Sequence, residues 1–99
     1  MIRLSRAAQA QASELARYYE SLNRPEAIRN LGLVLAKAGR RIEAKDGLFF
    51  SAPRPYPGLI RKNWLWLKET PYWIAFAPDK SGPVIRAIFH EAADIPSRL

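Results

Sequence analysis

The sequence predicts an α+β domain: a short N-terminal strand, a helical hairpin, then a three-stranded antiparallel meander packed on the helices. Three observations carry this. Residues 5–46 hold two apolar stripes at helical spacing. Residues 48–58 contain Pro53, Pro55, Pro57 and Gly58, which break regular structure. Residues 59–90 hold three runs of β-branched, aromatic and long side chains separated by turn-forming residues.

Each element has its own signal. Residues 1–4 alternate weakly and read as an edge strand, with Ser5 as N-cap of the helix that follows. Ala8, Ala12, Leu15, Tyr19 and Leu22 then recur at steps of four and three, opposite Gln9, Ser13, Arg17 and Glu20. Asn23-Arg24-Pro25 ends this helix, and Pro25 and Glu26 suit the first turn of the next. In the second helix Ile28, Leu31, Leu35, Ala38 and Ile42 keep the spacing. Gly32 and Gly39 lower its propensity, which close packing against the first helix would explain. Cations gather toward its C-terminal end and Gly47 reads as its stop.

Residues 48–58 form a surface crossover, anchored to the core by Phe49 and Phe50. Residues 59–68 read as the first meander strand, with Leu59, Arg61, Asn63, Leu65 and Leu67 on one parity and Ile60, Lys62, Trp64 and Trp66 on the other. Apolar groups on both parities imply that both faces are covered. The helices cover one, and a partner is expected on the other because a third layer exceeds the size of this chain. Apolar runs at 72–77 and 84–89 flank a turn rich in Pro, Asp, Ser and Gly, which predicts a hairpin with a longish loop.

Size and composition set limits on function. Ninety-nine residues make one domain, 1–99, with one modest core. No apolar run approaches ~18 residues, so no membrane span is expected. The start, Met1-Ile2-Arg3-Leu4-Ser5, lacks a signal-peptide core, so a cytoplasmic location is the expectation. Cysteine is absent and there is one histidine, so neither a disulfide nor a metal or other cofactor is expected. The net charge is +7, of which +5 falls between Lys37 and Lys62 (Lys37, Arg40, Arg41, Lys45, Arg54, Arg61 and Lys62 against Glu43 and Asp46). Such a domain favours a polyanion or an acidic protein segment as partner.

The residues that could carry chemistry are few. No nucleophile elbow, phosphate-binding glycine loop or zinc signature is present. His90 ends the last strand, where it either hydrogen-bonds the following turn or titrates in catalysis. Arg86 interrupts an apolar strand and is expected to face away from the helices or to pair with Glu91 or Asp94. Arg86 and His90 share a parity but stand about 13 Å apart along a strand. Trp64, Trp66 and Arg61 are candidate interface anchors, because aromatic and arginine side chains dominate interface energetics.

The strand that ends in His90, followed by Glu91-Ala92-Ala93-Asp94-Ile95-Pro96, resembles the C-terminus of the RelE/ParE superfamily of type II toxin–antitoxin toxins, with greater similarity to the ParE branch. The resemblance covers nearly the whole chain. It implies a toxin that inhibits DNA gyrase, without enzymatic activity, and that a cognate antitoxin neutralises by forming a hetero-oligomer through an acidic, partly disordered segment. The alternatives it leaves are a RelE-like ribosome-dependent mRNA endonuclease and a non-toxic binding homologue. In the nuclease case, Arg61, Lys62, Arg86 and His90 fall where that branch has functional residues, but the middle strand, 72–77, lacks the basic residue usual there. For antitoxin or target binding the candidates are Arg40, Arg41, Arg61, Lys62, Trp64, Trp66, Arg86 and Arg98.

Overall fold

A computed structural model describes residues 2–98 of the chain. Met1, at the head of the expected first strand, and Leu99 lie outside the described residues. The elements are β1 (Arg3–Leu4), α1 (Arg6–Ser21), α2 (Pro25–Glu43), β2 (Phe49–Phe50), β3 (Leu65–Glu69), β4 (Tyr72–Asp79), β5 (Gly82–His90) and α3 (Ile95–Arg98). They form a five-stranded mixed sheet in the order β1-β5-β4-β3-β2. Strands β3, β4 and β5 are the expected antiparallel meander. The three-stranded meander is extended to a sheet of five: the expected N-terminal strand, β1, lies parallel to β5, and β2, which the sequence reading placed in an irregular crossover, adds antiparallel to β3. β2 is two residues long, too short to show alternation in the sequence.

Local chemistry explains most boundaries. The Ser5 hydroxyl accepts the Ala8 N–H at 3.1 Å, which caps α1. Asn23 takes a left-handed conformation (φ 54°) after α1, and Pro25 opens α2 directly. Helix α2 stops at Glu43, earlier than Gly47 suggests, because Lys45 (φ 54°) makes the left-handed reversal. The first meander strand begins at Leu65 rather than at residue 59. Asn63 turns the chain at φ 66°, with the Trp64 N–H bonded to the Arg61 carbonyl, and this keeps Arg61 and Lys62 off the sheet. The hairpin between β4 and β5 is tight, not long. Lys80 and Ser81 alone connect the strands, and Pro78 and Pro83 stand opposite each other in the ladder.

The sheet buries both of its faces. Against the helices, Leu67, Tyr72, Ile74, Phe76, Ile85 and Ile88 meet Ala8, Tyr19, Leu31, Val34, Ala38 and Ile42. On the other face, Trp66, Trp73, Ala75, Ala87, Phe89 and Ile95 form a second cluster, rimmed by Phe50, Tyr56, Leu59 and Trp64. The expectation that a partner covers this face is therefore corrected. The crossover and the segment after β5 cover it themselves, joined by a bond from the Tyr56 hydroxyl to the Ala93 carbonyl at 3.2 Å. A strap of irregular chain is thinner than a helical layer and so fits a chain of this size. Trp66 is 0% exposed, stacks on Phe89 and presents no surface to a partner.

A register shift between Ala75 and Phe76 places Arg86 at a bulge in β5, without a partner across on β4. Ile85 and Ile88 consequently both face the helices although three residues separate them. The glycines of α2 also differ from expectation. Gly32 has no side-chain neighbour near its Cβ position, and Gly39 abuts Ile2 rather than α1.

Trp66→Ala is expected to lower stability by about 3–5 kcal/mol, as for other large-to-small core changes. Gly32→Ala should raise it by about 1 kcal/mol. Gly39→Ala should fail to gain, because the new Cβ would lie 2.5 Å from Ile2 Cγ2. Urea denaturation of the three variants measures all of this.

Candidate functional site

The basic end of α2 is in part structural. Lys37 Nζ (3.1 Å) and Arg41 Nη1 (2.9 Å) converge on Glu69, a carboxylate buried at the end of β3. The Arg41 Nε–H also bonds the Asp46 carbonyl at 3.1 Å, closing the turn after α2. Two charge-assisted bonds offset the desolvation of Glu69, so these cations tie helix to sheet. Arg40 remains exposed at the rim of a shallow recess shared with Lys37, Arg41, Ala44 and Asp46.

The other predicted site residues are dispersed. Arg61 lies over the Trp64 ring at 5.1 Å, and Lys62 is exposed in the turn before β3. Trp64 is half-buried at the rim of the second core. Arg86 is half-buried at its bulge. Glu91, one of its expected partners, is held by Lys68 at 2.8 Å instead. The Arg86 charge is felt at Asp79, whose carboxyl is held below its ordinary range mainly by the Lys80 backbone N–H and then by Arg3. His90 takes the role of a turn residue: Nδ1 accepts the Ala92 N–H at 3.0 Å, so a neutral ring carries its proton on Nε2.

These positions do not converge on one phosphate. Arg61 and Lys62 precede Leu65, which is level with Phe76 and Ile85. His90 is level with Tyr72 and Glu69, four residues further along the sheet and about 13 Å away. Arg86 sits at the bulge itself, where the regular alternation of side chains along β5 is interrupted.

One concave feature gathers His90 and Arg98. A groove of about 830 Å³ runs between α1 and the segment after β5, lined by Gln11, Tyr18, Leu22, Ile88, His90 and Arg98 among others. Tyr18 and Leu22 are 59% and 48% exposed, although the helical stripe predicts Leu22 inside. Arg98 meets Glu14 at 3.6 Å, an exposed and weak pair. Beneath the groove the Tyr19 and Tyr72 hydroxyls bond each other, and the Tyr72 ring meets the His90 ring edge-on at 5.6 Å. Burial, followed by the Tyr19 hydroxyl, pushes the Tyr72 phenol well above its ordinary range. The sequence gives no local sign of Gln11, Glu69 or the tyrosine pair, whose partners lie far apart in the chain. Among the described residues no group of three or more His, Asp or Glu side chains is placed to hold a metal ion. Nor, among the described residues, is any helix long and apolar enough to cross a membrane.

The charge states predict both ends of the pH profile. Glu26, Asp79 and Glu91 are depressed in the folded state, chiefly by a hydrogen bond from Arg24, from the Lys80 backbone and from Lys68 respectively. Their contribution is present above the ordinary carboxylate range and is lost as pH falls through the lowered values. Tyr72 is raised, so its contribution is whole below about pH 10 and is lost as pH rises beyond it. Tyr72→Phe should cost about 1–3 kcal/mol at neutral pH by leaving the Tyr19 hydroxyl unpaired, and should flatten the alkaline limb. Thermal melts across pH on both proteins check this.

Comparison with known proteins gives no further identification: no family model matches the chain, and no curated protein matches it.

Proposed function

We propose that this chain is the toxin of a type II toxin–antitoxin pair, ParE-like in kind, which acts by binding DNA gyrase and is held inactive by an acidic antitoxin segment in a hetero-oligomer. The observation that carries this reading is the arrangement of elements. A helical hairpin lies on one face of a meander whose last strand ends in His90 and continues into Asp94-Ile95-Pro96, the features on which the resemblance rests. Ile95 fills the second core, so this C-terminal segment is a fixed part of the domain. The net charge of +7 supports an acidic partner, with association that weakens as salt rises.

The dispersal of the cations favours binding over RNA cleavage. A nuclease needs a base, an acid and a cation around one phosphate. Here His90 serves a turn, and Arg61 and Lys62 stand at the other end of the sheet.

Expressed alone in a bacterial host, the protein should arrest growth and cause filamentation while bulk mRNA stays intact, and the purified protein should inhibit gyrase supercoiling. Arg86→Ala and His90→Ala should leave the gyrase effect within a few-fold of wild type. Codon-linked transcript cleavage abolished by either substitution would establish the endonuclease instead. Normal growth at verified soluble expression would point to a non-toxic binding homologue.

A further inference from the structure

We propose that the open outer edge of β5, residues 87–90, receives an extended segment of the partner protein as an added strand, seated in the groove beside α1. The inference rests on the reading of this chain as a protein neutralised by a partner, and it names how that partner is held.

The edge is half covered. β1 pairs with β5 only at Val84 and Ile85, after which the Ser5 N–H bonds the Ile85 carbonyl and the chain turns away into α1. Beyond that point the backbone of β5 has no neighbouring strand on this side among the described residues; the Ser5 hydroxyl still reaches the Arg86 carbonyl at 3.4 Å, so the fully open stretch begins after Arg86. The Ile88 N–H points outward, because it donates to Gln11 Oε1 at 2.8 Å. In an antiparallel ladder the N–H and C=O of one residue point to the same side, and alternate residues repeat that direction. The Ile88 carbonyl and the His90 N–H therefore also point outward. The Glu91 N–H, bonded to the Pro71 carbonyl on the opposite side, agrees with this alternation. Among the described residues neither outward group has a hydrogen-bond partner in the chain. The Gln11 amide stands where the carbonyl of an adjoining strand would lie.

The groove supplies the rest of the recognition. An edge of residues 87–90 is about 13 Å long, room for roughly four extended residues. Tyr18 and Leu22 expose apolar surface along the α1 wall, able to receive alternate side chains of an added strand. Arg24 and Arg98 line the same groove, and their acidic partners, Glu26 and Glu14, are exposed and replaceable by a carboxylate of the incoming chain. These features select an extended segment that carries apolar and acidic residues.

The test selects a short-peptide display library against the full-length chain. Enriched peptides should alternate apolar residues, include an acidic one, and slow hydrogen exchange at the His90 amide. His90→Pro deletes the outward N–H and should weaken binding about tenfold, the scale of one hydrogen bond with its local geometry. His90→Ala keeps that N–H and should bind within a few-fold of wild type, which separates the backbone bond from the ring. Leu22→Asp, at an exposed position, should weaken binding with an unchanged melting temperature. Failure to enrich peptides, binding without protection at His90, or equal affinity for His90→Pro would overturn the proposal. So would a wild-type dimer that His90→Pro dissociates, which would assign the edge to a second copy. Growth arrest is scored separately, so a toxic protein whose β5 edge stays free refutes this inference alone, and a harmless protein that binds such peptides there refutes only the toxin reading.

Discussion

The structure depends on burying β4 from both sides. From Tyr72 to Ala77 every residue is inside, with Tyr72, Ile74 and Phe76 against the helices and Trp73 and Ala75 in the second core. A central strand with both faces apolar is stable only if both are covered. The two helices supply one cover. The other is supplied by residues 50–64 and by the C-terminal segment anchored through Ile95. Two layers of aromatics against one strand give a short chain much of the apolar burial that it can achieve.

Polar groups fasten these covers to the sheet. Glu69 leaves the end of β3 on the helix side and is held by Lys37 and Arg41 of α2. On the opposite side its neighbour Lys68 reaches Glu91 and lies 4.9 Å from the Trp73 ring centroid. One dipeptide therefore ties α2 to the sheet through one side chain and the C-terminal segment through the other. The indole N–H groups of Trp66 and Trp73 have no acceptor within the described chain, so this second layer is held by packing more than by hydrogen bonds.

The charge pattern divides into structural and available cations. Lys37, Arg41 and Lys68 are engaged with buried or bridging carboxylates. Arg40 and Lys62 stand free of the core on the surface, and Arg61 rests on an aromatic face at its margin. A basic excess read from sequence is thus partly internal bracing, and what remains is spread over a surface rather than focused in a pocket. Arg61 and Lys62 stand toward one end of the sheet and His90 at the other.

Sequence alone determined the helical hairpin and the meander, because their signals are local. Ser5 caps the first helix, Pro25 opens the second, and the runs ending in His90 alternate as strands do. It also showed that both faces of the sheet need cover, since Trp64 and Trp66 oppose Leu65 and Leu67. What covers the second face was decided only by tertiary structure. The crossover carries no periodic signal, and its closure against Ala93 joins residues remote in the chain. Backbone reversals at Lys45 and Asn63 moved element ends, because a non-glycine residue gives little warning that it will adopt a left-handed conformation. The candidate groove was invisible for the same reason. Gln11 meets Ile88, Tyr19 meets Tyr72 and Arg98 meets Glu14 only once the helices lie on the sheet, and no spacing within one segment encodes contacts that packing between segments creates.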